Sequence, residues 1–463
     1  MMTRLGRLKR GGLARLAAIG VLAGGLTSCG LDVFDPDIVT PEDVADPASI
    51  PFAITGVVGD FQEALDNVVR KGGMFTDEFI LSGTFPTRVE LDTRRVTVDN
   101  ATLIGPLYEP IHVSRFSADN IAEQLAGLVG DPDVDPDLVS EGIAFGQYYG
   151  AYARVFLAEI YCQSILGGGD PLAVNFESGP VLPDARMAGA LSLFQQAEAS
   201  ALAAGRPDVA SAAKVGAARA NMWLANYSQA AATAATVDPD FAFISEYSSN
   251  TIAQYNEVYQ FTYNDAQALR WTVGDGTQIE RNLEKYAYYD EWVDVGLIDP
   301  DPSTSTFQAF NSAIRVHLQL IYGKGNAPPT PIGQAASILI ASGFEADIMR
   351  AEAAYRTGDL AGAAAIINAR ITTGDNPHGN VHPPVAFTGT FATDIAEIGR
   401  AYAVGTWLTG HRLGFVRRVL RNDGVDFFPP TQPGLDTALP LVQQEIDNNE
   451  NVSVACPSGP PWS

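Results

Sequence analysis

Apolar positions along this chain fall mostly three and four residues apart, the spacing of helices that bury one face. The pattern is clearest in residues 212–237, AAKVGAARANMWLANYSQAAATAATV, where small residues stand at the positions two packed helices would share. Asn226-Tyr227 marks a bend between the halves, and Asp238-Pro239 closes the unit. The same grammar returns at 344–371, FEADIMRAEAAYRTGDLAGAAAIINARI, with Gly358-Asp359 at the bend. A looser unit pairs 141–163 with 187–204 across an insertion holding Gly167-Gly168-Gly169, and a fourth is expected at 106–128. No such unit hides its apolar face alone, so the units must stack. The fold class predicted is therefore all-α dominated, with helical hairpins near 106–237 and 344–421 in one superhelical layer and large, partly irregular loop insertions upon it.

Helix–bend–Ala-rich helix units of this kind resemble tetratricopeptide repeats. Asp-Pro recurs at 35–36, 46–47, 131–132, 135–136, 170–171, 238–239, 299–300 and 301–302. Asp accepts a hydrogen bond from a free helix N–H, and Pro at the first helical position has no N–H to leave unpaired, so several of these pairs should start helices. The ladder Asp131, Asp133, Asp135, Asp137 invites a calcium reading. An EF-hand loop, however, wants Gly at its sixth position and Glu at its twelfth. Here those are Pro136 and Gly142, and the segment reads as a loop and helix cap. The longest insertion, about 240–340, holds nine aromatic residues between Tyr255 and Trp292, where the 9% aromatic content of the chain predicts only three or four. Its pattern is broken by Gly, Asn and Asp, and it is the expected home of a ligand surface.

The N-terminus follows another rule. Arg4, Arg7, Lys9, Arg10 and Arg15 precede a short apolar core, Leu16 to Leu26, too short to span a bilayer, which takes about 20 residues. This is a secretory signal, residues 1–28. Leu26-Thr27-Ser28-Cys29 resembles the lipobox of bacterial lipoproteins, which implies cleavage before Cys29 and acylation of that cysteine on sulfur and nitrogen. Residues 29–50, acidic and Pro-rich without apolar periodicity, then form a lipidated flexible tether, and 51–463 a single domain. No other apolar run reaches membrane-spanning length.

The formal charge of −25 becomes −30 once residues 1–28, with five basic side chains and no acidic one, are removed. So acidic a chain is unsuited to nucleic acid, which needs a basic patch, and to docking on anionic headgroups. Cys162 and Cys456 remain after the lipobox cysteine, in a compartment where a bridge can form. They either pair or sit as two separate buried thiols. The basic residues Arg400, His411, Arg412, Arg417, Arg418 and Arg421 are concentrated near one place in the sequence. They read as anchors for the acidic helices, the alternative being contact with a partner.

Six segments, in order, resemble the SusD/RagB family of outer-membrane lipoproteins. They are the Ser28-Cys29 start with Leu31-Asp32; Tyr108 to Asn120; Gly146 to Tyr161; Met349 to Arg370, with Ala351-Glu352-Ala353 and Ile367-Asn368-Ala369-Arg370; Gly410-His411-Arg412 with Arg417-Arg418; and Pro440 to Asn451. The pattern departs at Thr409, where the family has Glu, at Gly414-Phe415, where it has Asp-Leu, and at Phe344-Glu345-Ala346-Asp347, as expected of a distant branch. The resemblance implies a SusD-like fold. It also implies a nutrient-binding lipoprotein, facing outward on the outer membrane, that passes cargo, usually oligosaccharide, to a TonB-dependent SusC-like receptor. Aromatic faces stack on sugar rings, so Trp292, Tyr289, Tyr286 and Trp271 are the first candidates for ligand binding, or else they pack the insertion on the repeats.

No G-x-S-x-G elbow, P-loop, dinucleotide fingerprint or HExxH is present, so neither an enzyme nor a cofactor is expected. His378 and His382 lie in DNPHGNVHPP, where Gly and Pro forbid the helix that would set metal-ligand spacing. The competing functional class is a lipid-anchored tetratricopeptide scaffold that binds envelope proteins or peptides.

Overall fold

Apolar side chains at 57, 61, 64, 65, 68 and 69 bury one face of the first long helix, α1 (Ile50–Phe75), which begins with Pro51 in its first turn. The computed structural model describes residues 47–76, 78–81, 85–166, 180–263, 267–269, 334–377, 383–428, 435–452 and 456, all in the unit Val44–Ser463. The signal segment, Cys29, most of the tether, Gly167-Gly168-Gly169, His378 and His382 lie outside the described residues. After α1 come β1 (Phe79–Leu81), α2 (Pro86–Thr93), α3 (Glu109–Ala126) and α4 (Pro136–Ile160). A π-helical turn, Ile104–Tyr108, leads into α3, and its wide ring lets Pro110 enter without breaking the helix. Asp135 caps α4, accepting from the Asp137 N–H at 3.0 Å, and Pro136 takes the first position. Asp131 likewise accepts from the Asp133 N–H at 2.9 Å, so the aspartate ladder is a turn and a cap.

The hairpins follow: α5 (Pro183–Ala203), α6 (Pro207–Trp223) and α7 (Tyr227–Ala234), then, after the long insertion, α9 (Gly343–Arg356) and α10 (Leu360–Ile371). The bend of the last pair is built as its residues require. Gly358 takes a φ of +93°, and Asp359 accepts from the Gly362 N–H at 2.8 Å. Neighbours in the stack are α3 on α4, α4 on α5, α5 on α6, α6 on α7, α7 on α9 and α9 on α10, with α1 across α3 and α4. Small residues allow the close approaches. A Cβ on Gly146 would press into the Ala118 carbonyl at 2.6 Å and Ala122 at 2.9 Å. The helix at 106–128 is one member of this continuous stack rather than a hairpin of its own.

Contact between α7 and α9 requires that the insertion leave and return at one point. Strands β2 (Ala242–Ser245) and β4 (Ile338–Ser342) make that neck, pairing antiparallel with Phe243 opposite Ala341 and a register shift before Ile244. Ser342 ends β4 and caps α9, accepting from the Glu345 N–H at 3.1 Å. Within the insertion, α8 (Glu257–Tyr263) packs on α1, and β3 (Gln267–Leu269) pairs with β1. Helices α11 (Phe391–Thr406) and α12 (Arg412–Asp423) follow α10, α11 against α9 and α12 against α4, before the short α13 (Gln443–Asn448).

The basic cluster is structural. Arg417 donates to the Ala158 carbonyl at 3.0 Å, near the end of α4, Arg418 pairs with Glu352, and Arg421 pairs with Asp184. Gly414 stands where the family pattern has Asp because the Glu159 carboxylate, paired with Arg219, fills the space a side chain would need. Among the described residues no helix is long and apolar enough to cross a membrane.

Cys162 and Cys456 are not separate thiols; they form a disulfide, with Cα atoms 5.7 Å apart. Sequence could not place them together because 294 residues separate them. The bridge fastens the C-terminal segment to the end of α4, where the Cys162 N–H donates to the Leu439 carbonyl at 2.9 Å and the Leu439 N–H to that of Ile160 at 2.8 Å. Serine at both positions is expected to lower stability by about 2–4 kcal/mol, because the unfolded chain regains the freedom of a very long loop. Thermal melts of the variant, and of the native chain with reductant, check this; an unchanged midpoint would show that packing alone holds the segment.

Candidate ligand-binding cleft

A cleft of about 1000 Å³ opens between α1, the start of α6, β2 and the segment 246–257. Three acids of α1, Asp60, Glu63 and Asp66, point one way along the helix because they stand three residues apart, with Gln62 and Gly59 between and beside them. The opposite wall is β2 and its continuation, with Phe243, Ser245, Glu246 and Tyr247. Gln62 ties the walls together by donating to the Glu246 carbonyl. At one end Phe145 and Tyr149 stack with centroids 5.7 Å apart, and Arg206 lies 4.9 Å above the Phe145 ring. Arg206 is held there by Glu141 and by a two-point pair with Asp208, at 3.0 and 2.7 Å. At the other end Glu257 pairs with the buried Arg70 of α1, which rests 3.4 Å over the Phe261 ring.

Burial, with little positive charge to offset it, raises the proton affinity of the α1 acids. Asp60 is raised by burial against a hydrogen bond from Ser117. Glu63 is raised by burial and then by the charges of Glu257 and Asp60. Asp66 is pushed up to about 8, first by burial and then by Glu257, against the Tyr247 hydroxyl, Arg70 and the Glu257 amide. At the far wall the reverse holds: the Arg206 hydrogen bond keeps Asp208 below the ordinary carboxylate range. The cleft is thus a trough of carboxylates and rings, able to accept hydrogen bonds from hydroxyl or ammonium groups and to cover the faces of small rings. Among the described residues, no cluster of three His, Cys, Asp or Glu side chains could hold a metal ion.

A second cavity, about 370 Å³, also borders β2 and is walled by Phe241, Phe344, Arg370 and Trp407. Its cation is committed to the fold. Arg370 donates to the Asp375 carbonyl at 3.0 Å and the Pro239 carbonyl at 2.9 Å, and pairs with Asp347 at 3.4 Å. The cleft is the better candidate because its polar groups are not all engaged.

Trp271, Tyr286, Tyr289 and Trp292 lie outside the described residues. Of the same aromatic stretch, Tyr259 is buried and Phe261 lies beneath Arg70, so these two pack the insertion on α1. The cleft residues Phe145, Tyr149, Phe243 and Tyr247 carry no motif that marks them in the sequence. The one signal that could have found the site is the spacing of Asp60, Glu63 and Asp66 behind two glycines, Gly56 and Gly59, in a helix.

No protein-family model matches the chain, and no curated protein matches it in sequence. Solved structures do match it. A SusD superfamily protein from Bacteroides thetaiotaomicron aligns with a TM-score of 0.61 at 13% identity, over 88% of this chain and 99% of its own. A SusD-like carbohydrate-binding protein from Bacteroides fragilis aligns with a TM-score of 0.57 at 12% identity, over 88% of this chain and 99% of its own. A SusD superfamily protein from Bacteroides vulgatus gives 0.56 at 12%, over 89% and 99%. With six sequence segments in family order and an alignment this long, the chain has the SusD fold, as a distant representative of it.

Proposed function

We propose that the protein binds oligosaccharide in the cleft beside α1. The carrying observation is a cleft of about 1000 Å³ lined by aromatic rings and carboxylate hydrogen-bond acceptors on a SusD fold. Its size is at the upper end for small-ligand sites, about 300–1000 Å³, which suits several sugar units rather than one. The N-terminal sequence supports a lipid anchor at Cys29 and a tether over 29–50 ahead of a single domain over 51–463. The likeness to SusD-like carbohydrate-binding proteins supports an outward position on the outer membrane and transfer of cargo to a TonB-dependent SusC-like barrel. Trp271, Tyr286, Tyr289 and Trp292 are kept as proposed ligand-binding residues on the aromatic enrichment of the sequence between Tyr255 and Trp292.

Calorimetric titration of the mature protein with a panel of oligosaccharides tests the central point. Tyr247→Ala is expected to weaken binding about tenfold, or about 1.4 kcal/mol, with the helical circular dichroism unchanged. Unaltered binding in Tyr247→Ala and Phe243→Ala would place the ligand elsewhere. Purification in mild detergent from native membranes tests the partner; a stoichiometric β-barrel receptor is the expected companion.

A further inference from the structure

The charge of the cleft says which oligosaccharides belong in it, an inference that rests on the reading just given. Six acidic side chains line it, Asp60, Glu63, Asp66, Asp208, Glu246 and Glu257, against the single lining cation Arg206, and of the six Asp66 keeps its proton at neutral pH. Arg206 is itself matched by Glu141 and Asp208, and Glu257 by Arg70. Among the described residues Asp60, Glu63 and Glu246 take part in none of the cleft's ion pairs; Lys71 acts on Glu63 from behind, and the trough is left with a net negative charge. We propose that the cleft selects glycans bearing free, protonated amino groups, such as 2-amino-2-deoxy sugars, over neutral and acidic ones.

One observation independent of charge points to a ligand at this wall, and a second leaves room for it. Ser245 lines the cleft and is only 4% exposed, and among the described residues its Oγ has no hydrogen-bond partner, an unusual state for a buried hydroxyl. Gly59, in mid-helix on the same wall, has nothing within 4 Å of where a Cβ would stand. Glycine weakens a helix relative to alanine, and here no neighbour in the fold requires it. It leaves the α1 backbone open to close approach. An ammonium at this wall would be drawn to Asp60 and Glu63, of which Glu63 has its proton affinity raised first by burial and then by the charges of Glu257 and Asp60. A uronate or sulfated sugar would be repelled by those same charges, which is discrimination by unfavourable contact.

The test is calorimetry of the mature protein at pH 6.5 with three probes: a glucosamine hexamer, the N-acetylglucosamine hexamer and a galacturonate oligomer. The glucosamine hexamer is expected to bind at least tenfold tighter than its acetylated counterpart, with the ratio shrinking in 0.5 M salt as screening requires. The galacturonate oligomer should not bind. Asp60→Asn with Glu63→Gln should cut the ratio at least threefold. Gly59→Phe fills the trough without altering net charge and should abolish glucosamine binding. If binding persists in that variant, the amine is held by the acidic surface at large and the proposal fails. Equal affinity for the two hexamers, or preference for the acetylated one, overturns the amine preference and leaves the oligosaccharide cleft standing. If no oligosaccharide of any charge binds, both readings fall.

Discussion

Replacing Glu352 with alanine is expected to destabilise the protein by about 3–5 kcal/mol, the usual consequence of stripping one partner from a buried ion pair. Glu352 is fully buried. It receives Arg418 through two hydrogen bonds of 2.6 and 2.7 Å and the Arg356 Nε at 2.8 Å. Arg356 then reaches on to Asp423 at 2.8 and 2.7 Å. Four groups on α9 and α12 thus neutralise one another, and alanine would leave Arg418, 5% exposed, without its carboxylate. Burial alone would raise the Glu352 proton affinity, but Arg418 and Arg356 outweigh it and hold the carboxyl at about 2. A folded value below the ordinary 4.5 means that the stabilisation is complete above pH 4.5 and is lost as pH falls toward 2. Urea unfolding at pH 7 and pH 3 checks both points. The gap between native and variant should be wide at pH 7 and narrower at pH 3. A loss under about 1 kcal/mol at pH 7 would show the pair to be replaceable by packing.

Asp66 should behave in the opposite sense. Its folded value of about 8 against an ordinary 3.8 means that the folded chain keeps a proton that the unfolded chain releases across that window. Stability therefore falls as pH rises from about 4 to about 8, and the penalty is fully present above it. Asparagine copies the neutral acid and can still accept the Glu257 N–H, which Asp66 receives at 3.3 Å. Asp66→Asn is thus expected to match the native protein at pH 4 and to exceed its stability at pH 9 by up to about 5 kcal/mol, since each tenfold change in proton affinity is worth about 1.4 kcal/mol. Thermal midpoints across that range decide it. Parallel curves for the two proteins would mean that Asp66 is ionised throughout and compensated by Arg70.

These two carboxylates also explain what could be read from the sequence. Glu352 belongs to the Ala351-Glu352-Ala353 motif, and Arg418 to the basic motif after Gly410. Asn368 and Arg370, from the same family pattern, fasten backbone. Asn368 exchanges hydrogen bonds with Val385 at 2.9 and 2.7 Å, and Arg370 holds the Pro239 carbonyl. The recognisable residues are long-range staples of the stack, so they reveal the fold and say nothing of a ligand. Hairpins are legible because their bends need Gly and Asp at set places. Helix α1 is harder to see, although its apolar spacing is regular, because its face also carries buried Asp66, Arg70 and Lys71, which blur the pattern. The cleft wall needs the fold: Phe243 and Tyr247 meet Asp60 and Glu63 only once β2 has folded back toward α1. The bridge between Cys162 and Cys456 is open in the sequence for the same reason.

The neck formed by β2 and β4 has a kinetic meaning. Helices α3 to α7 each pack on the next in the chain, and their contacts close short loops. Docking α9 on α7 instead requires that residues 245 and 338 meet, and closing so long a loop has an entropic cost that local contacts do not repay until the strands pair. The N-terminal half of the stack should therefore gain protection from hydrogen exchange first, and the α9–α12 half together, in a later step. Shortening the segment between the strands would speed that second step and leave the first unchanged.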